Sequence, residues 1–101
     1  MRIRALQERS RQVLPANREA AVNQALIRSL ELEGMLRISE VVALGAIARE
    51  ESRGSHTRRD YPKRDDNRFL AHTIARLEKG DVTITYKPVT LGMFQVEERG
   101  Y

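Results

Sequence analysis

The amino-acid sequence contains no cysteine. Disulfide bonds, zinc–thiolate centres and thiol nucleophiles are therefore excluded from its fold and its chemistry. Its two histidines, His56 and His72, are far apart in the chain and fall on different predicted elements. A metal site needs several clustered ligands, so we expect no metal-binding residues.

Aromatic residues and long apolar runs are also scarce. Aromatics make up 5% of the 101 residues and tryptophan is absent, so the core must consist mainly of aliphatic side chains. No apolar run reaches the roughly 20 residues that span a bilayer, and no signal peptide opens the chain. P-loop, G-x-G-x-x-G and G-x-S-x-G motifs are missing, so no dinucleotide-binding or serine-hydrolase signature is present. The length indicates one domain, residues 1–101.

The pattern of apolar residues predicts that residues 1–54 are helical. Apolar side chains repeat at helical spacing from residue 2 to about 13. Pro15 interrupts this pattern, and Asn17 is a candidate N-cap because its side chain can accept from backbone N–H groups. A long helix is then predicted from Arg18, extending for about thirty residues.

Three small residues mark possible breaks in this long helix or its end. Gly34 and Ser39 mark places where it could kink or split in two. Gly54 stands where a glycine in the left-handed conformation would close the helix. The prediction is therefore one long helix, preceded by a short one, that ends at Gly54.

In the second half of the chain, the apolar residues no longer recur at helical spacing. Residues 82–86 are rich in β-branched side chains, which favour strands. The segment 79–81, Lys-Gly-Asp, separates two such runs and predicts a β-hairpin over residues 69–89, with positive φ at Gly80. Residues 90–101 are predicted to form an extended tail. The predicted fold class is mainly α: a helical bundle fragment with one long helix, a charged loop and a C-terminal β-hairpin.

The predicted charged loop, residues 55–68, has three open interpretations. It is an ordinary solvated loop, a nucleic-acid grip in a winged-helix-like module, or a brace in which arginines pair with aspartates. The net charge of +4 suits an anionic partner. However, aspartates within the loop would repel phosphate, and a helix-turn-helix needs a short turn between its helices. The brace is therefore preferred to the nucleic-acid module, and no nucleic-acid partner is expected.

The same region resembles the signature of a known family. Residues 51–73 read E-S-R-G-S-H-T-R-R-D-Y-P-K-R-D-D-N-R-F-L-A-H-T, which is similar to E-S-R-G-A-H-x-R-x-D-x-P-x-R-D-D-x-x-W-L-x-H-T. With V-T-I-T-Y-K-P-V and F-Q-V-E-E-R-G-Y, residues 20–101 resemble the C-terminal domain of the succinate dehydrogenase/fumarate reductase flavoprotein subunit. L-aspartate oxidase is more distantly similar, through S-R-G-x-H and D-Y-P. Ser55, Phe69 and Val96 depart from the usual Ala, Trp and Pro.

This resemblance implies a parent subunit that interconverts succinate and fumarate through FAD and passes electrons to an iron–sulfur subunit. The family's flavin-binding region and substrate-binding residues lie upstream of the matched stretch, and the chain shows no counterpart of them. We therefore expect no catalytic and no cofactor-binding residue on this chain, and no activity from it alone. Its expected partners are the flavin-binding domain of the same subunit and the iron–sulfur subunit.

The resemblance also implies a place in the cell and a role for the charged loop. The parent would sit peripherally on the cytoplasmic side of the membrane, in contact with the bilayer only through other subunits. The loop would fasten the helical domain to the rest of the subunit. We expect the following residues to make these docking contacts: Arg53, Gly54, His56, Arg58, Asp60, Arg64, Asp65 and Asp66.

Overall fold

The computed structural model describes residues 2–14 and 23–97 of the chain. A short helix is followed by a long helix, a single helical turn and a two-stranded antiparallel sheet. This combination of helices with one hairpin agrees with the predicted order of elements. The bounds are α1 Arg2–Ser10, α2 Gln24–Ala48, α3 Asp66–Phe69, β1 Ala71–Glu78 and β2 Asp81–Pro88.

Helix α2 begins with an asparagine cap. Asn23 has extended backbone angles, and its side-chain oxygen accepts a hydrogen bond from the Leu26 N–H at 3.0 Å. This is the usual geometry of an N-cap, so the described helix starts at Gln24. The predicted start at Arg18 lies outside the described residues. The predicted cap, Asn17, lies outside the described residues.

Helix α2 ends earlier than predicted. It continues without a break through Gly34 and Ser39 and stops at Ala48. Arg49 already has extended backbone angles, so the helical prediction over residues 1–54 extends too far. Gly54 does have the predicted positive φ, 58°, but it lies in a separate tight turn and does not cap the helix.

The hairpin confirms the prediction from the Lys-Gly-Asp segment. Strands β1 and β2 pair in register from Glu78 opposite Asp81 to Ala71 opposite Pro88. The two residues between the strands, Lys79 and Gly80, have φ values of 50° and 83°. Two successive positive values define the two-residue turn that matches the twist of antiparallel strands.

The boundaries around the charged loop are shifted as well. Residues 66–69 form α3, so the predicted loop over residues 55–68 includes helical residues, and the hairpin begins at Ala71 rather than at residue 69. Asp65 causes this by capping α3: its carboxylate accepts from the N–H groups of Asn67 and Arg68, both at 3.1 Å.

The apolar core of the described residues is small. Helix α1 and the hairpin both pack against α2. Within residues 2–14 and 23–97, Phe69 is the one buried hydrophobic side chain; its ring meets Tyr86 edge to face, with centroids 5.6 Å apart. Large apolar side chains on α2 and in the segment 90–97 are exposed. Among residues 2–14 and 23–97, none of the helices has both the length and the apolar composition of a membrane span.

The turn of the hairpin yields a direct prediction. We expect Gly80→Val to destabilise the hairpin by at least about 1–2 kcal/mol, because a β-branched residue fits poorly at positive φ. Gly92→Val is the matched control, since Gly92 has no positive φ and a side chain there meets open space. Amide exchange across Ala71–Glu78 and Asp81–Pro88 measures the effect. Equal protection in both variants would contradict it.

Candidate functional site

A buried carboxylate organises the segment from the end of α2 to the first residue of α3, residues 49–66, which we call the ion-pair loop. The Glu51 side chain is fully buried. Its Oε1 accepts from Arg49 Nη1 at 2.6 Å and from Arg53 Nε at 2.9 Å. Its Oε2 accepts from Arg53 Nη2 at 3.1 Å and from the backbone N–H of Asp65 at 2.8 Å. One acidic side chain thus joins the start of the loop to its end.

These contacts determine the charge state of Glu51. Burial by itself raises the pKa of a carboxyl group. In this protein the hydrogen bonds from Arg53, the Asp65 N–H and Arg49 outweigh burial and lower the pKa of Glu51 to about 2. Glu51 is therefore ionised at neutral pH, and the two guanidinium groups compensate its charge.

Arg49 connects the ion-pair loop to the hairpin. Besides Glu51, its guanidinium donates to the carbonyl oxygens of Phe69 at 2.8 Å and Ala71 at 2.7 Å, and to Thr73 Oγ1 at 3.0 Å. Its Cζ also lies 5.5 Å from the ring centroids of both Phe69 and Tyr86, within the range of cation–π attraction. Arg49 therefore fixes the beginning of β1 against the end of α2.

The middle of the loop is folded by a tight turn and a serine. Arg53 and His56 exchange two backbone hydrogen bonds, of 2.8 and 3.0 Å, around Gly54. The Ser52 hydroxyl donates to the Tyr61 carbonyl at 2.7 Å and accepts from the Arg58 N–H at 2.9 Å. Hydrogen bonds thus hold the loop backbone to other parts of the same loop at several points.

Arg58 closes the C-terminal end of α2. Its Nη1 donates to the carbonyl oxygens of Ile47 at 2.7 Å and Arg49 at 3.3 Å, which have no further helical N–H to bond. The same guanidinium forms a bidentate ion pair with Asp60, and its Cζ lies 4.7 Å from the Tyr61 ring centroid. The hydrogen bond from Arg58 lowers the pKa of the Asp60 carboxyl.

Asp66 and Arg64 complete the network at the start of α3. Asp66 accepts from Arg53 Nη2 at 2.6 Å and from Arg64 Nη2 at 2.9 Å. The hydrogen bond from Arg53, together with the charge of Arg64, lowers the pKa of Asp66. Arg64 also donates to the Glu97 carbonyl oxygen at 3.0 Å, so the loop holds the C-terminal segment as well.

The structure thus brings the predicted docking residues into one connected loop. Their described contacts lie within this chain, and contact with another domain stays a prediction. Sequence reasoning missed Arg49, Glu51 and Ser52 as members of the site. A signal for Arg49 and Glu51 was available. They lie four and two residues before Arg53, and on extended backbone residues at such spacing share a face.

A second buried acid holds α1 in place. Glu40 on α2 is fully buried and accepts from Arg4 Nε at 2.9 Å, Gln7 Nε2 at 2.9 Å and Arg37 Nη1 at 3.0 Å. The hydrogen bond from Gln7, with help from Arg4, lowers the pKa of Glu40. Arg4 also reaches Asp81 Oδ1 at 2.9 Å, so α1 is tied to the hairpin turn.

The described residues include a cleft of mixed charge beside the ion-pair loop. Its volume is about 470 Å³, and its lining includes the carboxylates of Glu50, Asp60 and Asp65 beside Lys63 and Arg64. These carboxylates would repel the pyrophosphate of a dinucleotide. Within residues 2–14 and 23–97, no group of three or more acidic or histidine side chains could hold a metal ion.

The known sequences that are similar to this chain belong to one family. The family model described as fumarate reductase flavoprotein C-term matches residues 1–101. The fumarate reductase flavoprotein subunit of Mycobacterium tuberculosis is 41% identical over 100 residues, which are 98% of this chain and 17% of that protein. The succinate dehydrogenase flavoprotein subunit of Rickettsia felis is 46% identical over 70 residues, covering 68% of this chain and 12% of that protein.

Solved structures that resemble this chain come from the same kind of protein as the sequence relatives. An E. coli quinol fumarate reductase chain, FrdA, superposes with a TM-score of 0.84 at 32% identity, over 92% of this chain and 16% of that chain. A quinol-fumarate reductase solved with menaquinol molecules gives 0.83 at the same identity, over 92% of this chain and 17% of that one. The chain therefore spans less than a fifth of the length of the relatives it matches.

The pKa of Glu51 can be measured directly. We expect its side-chain carboxyl carbon, followed by NMR during acid titration, to change with a midpoint near 2 as long as the chain is folded. Because the folded pKa lies below the unfolded one, Glu51 stabilises the fold above pH 4.5, and this contribution declines as the pH falls from 4.5 towards 2. A midpoint at the ordinary value of a glutamate in the folded chain would contradict the buried ion pair.

Proposed function

The chain belongs to the family of fumarate reductase flavoprotein C-terminal domains, and on this basis we propose that it is a structural domain that fastens the parts of a flavoprotein subunit together. In this proposal no residue of the chain takes part in the reaction. The docking surface is the ion-pair loop, presented by Arg53, Gly54, His56, Arg58, Asp60, Arg64, Asp65 and Asp66.

The observation that supports this role most strongly is the burial of Glu51 among guanidinium groups. A buried charge with complete hydrogen bonding fixes the geometry of the groups around it. The arginines of the loop that would suit substrate carboxylates donate instead to Glu51, Asp60, Asp66 and backbone carbonyls. Such groups form a rigid surface for docking and are poorly placed to bind and release a substrate.

The whole subunit, in this proposal, interconverts succinate and fumarate through FAD. In this proposal the flavin is held by the remainder of the subunit, as the resemblance to the family implies. The direct partners of the domain are the flavin-binding part of the same subunit and an iron–sulfur subunit that accepts the electrons. The complex lies at the cytoplasmic side of the membrane, with this domain peripheral to the bilayer.

The geometry gives no support to the alternative nucleic-acid module. A winged-helix or helix-turn-helix protein reads the major groove with a helix that follows a short turn. Here the element after α2 is α3, with four residues, at the end of a long irregular loop. Arg53, Arg58 and Arg64 are also paired with carboxylates, which reduces their attraction for phosphate.

Substitution of Arg58 separates docking from catalysis. We expect Arg58→Ala to lower the melting temperature and flavin content of a full-length subunit, because the last carbonyls of α2 and Asp60 lose their partner. Turnover per bound flavin should remain nearly normal. The subunit to use is a chimera in which the matching segment of the M. tuberculosis relative is replaced by this chain.

Arg59→Ala is the matched control for this test. Arg59 is the adjacent arginine, it is exposed, and no ion pair involving it occurs among the described residues. It should leave stability and flavin content unchanged. The opposite pattern, an Arg58→Ala chimera with full stability and flavin but turnover reduced by orders of magnitude, would place Arg58 in the chemistry and disprove the docking role.

A further inference from the structure

Helix α1 makes little apolar contact with the rest of the chain. None of its residues, Arg2–Ser10, is buried. Ile3, Gln7 and Ser10 are half-buried and recur at helical spacing, so they share the face that packs against α2. Ile3 is the one apolar side chain of the three, and Leu6 is 43% exposed. Apolar burial therefore contributes little to holding α1 in place.

Hydrogen bonds hold α1 instead, and two of the four end on one acid. In the described part of the chain, Arg4 and Gln7 make every hydrogen bond from α1 to another element. Arg4 Nε donates to Glu40 Oε1 and Gln7 Nε2 donates to Glu40 Oε2, both at 2.9 Å. The other two go to the Leu36 carbonyl oxygen and to Asp81 Oδ1. The attachment of α1 therefore depends on the Glu40 carboxylate.

Helix α1 is also too short to persist by itself. Isolated helices of fewer than about 12–15 residues are marginal in water, and α1 has nine residues. When its contacts with α2 break, α1 should therefore lose its helical structure as well. Detachment and unfolding of α1 are one event.

The rest of the fold does not use α1 for its own contacts. The hydrogen bonds of Glu51 and Arg49 join α2, the ion-pair loop and the hairpin without any residue of α1. Among the described residues, the Arg4–Asp81 pair is the one hydrogen-bonded link between α1 and the hairpin, and both side chains are more than half exposed. Exposed ion pairs contribute little to stability. Segments with few buried contacts open separately from the remainder of a domain.

We propose that α1 is a separate unfolding unit, which detaches from α2 and unfolds while α2, the ion-pair loop and the hairpin stay folded, and that Glu40 controls how often it opens. This inference does not depend on the proposed function. In the open state the Glu40 carboxylate keeps Arg37 as its partner on α2. The opening uncovers the surface of α2 around Glu40 and the Leu36 carbonyl without unfolding the domain.

Amide exchange of the unsubstituted 101-residue chain tests whether α1 opens separately. In increasing, subdenaturing concentrations of urea, the amides of α1 should exchange faster than those of Ala71–Glu78 and Asp81–Pro88. Their rates should also rise less with urea, because a local opening exposes less surface than global unfolding. The same rates of opening and the same urea dependence in both segments would show that α1 opens only with the whole domain, and would overturn the proposal.

Glu40→Gln tests the control by the acid. The substitution places an amide donor where a carboxylate oxygen now accepts from Arg4, or from Gln7 and Arg37. We expect the amides of α1 to exchange at least about tenfold faster at pH 7, because charge-assisted hydrogen bonds are lost, while the hairpin amides keep their rates.

Glu33→Gln is the matched control for this substitution. It makes the same chemical change on α2, at an exposed position that has no ion pair among the described residues, and should alter exchange in neither segment. Unchanged exchange of α1 in Glu40→Gln would overturn the role of Glu40. Equal acceleration of α1 and the hairpin in Glu40→Gln would overturn it too, since Glu40 would then stabilise the whole domain rather than α1.

Discussion

The burial of the Glu51 carboxylate is the constraint on which the rest of the structure depends. An ionised acid away from water must be paired, and removing one partner of such a pair costs about 3–5 kcal/mol. Its partners come from the end of α2, the tight turn at Gly54 and the start of α3. Three segments separated along the chain are therefore held in one arrangement by a single side chain.

Polar clusters connect the helices, the loop and the hairpin, a role that apolar packing has in other small domains. Glu51 joins the loop to the hairpin through Arg49, and Glu40 joins α1 to α2. Large apolar side chains on α2 and in the segment 90–97 remain exposed. Relatives several times longer support the proposal that these surfaces face other parts of a larger subunit.

Local patterns predicted the hairpin and its turn correctly, because Lys79-Gly80 between two β-branched runs has few other conformations available. The end of α2 was predicted wrongly, since apolar periodicity cannot show that Arg49 gains more contacts in an extended conformation. The cap at Asn23 was not predicted, because Asn17 and Asn23 are equally good caps by residue type. The burial of Glu51 was missed because charged residues are usually solvated, and whether the loop docks onto another domain stays a prediction.

The central claim is that Glu51 and its arginines act as one unit, and a double-mutant cycle tests it most directly. The free energy of unfolding would be measured in denaturant for the unsubstituted chain, Glu51→Gln, Arg53→Gln and the double variant at pH 7. The account predicts that the double variant loses less stability than the sum of the single variants, with a coupling energy of about 0.5–3 kcal/mol. Additive losses would contradict it, because they would show that Arg53 stabilises the loop independently of Glu51.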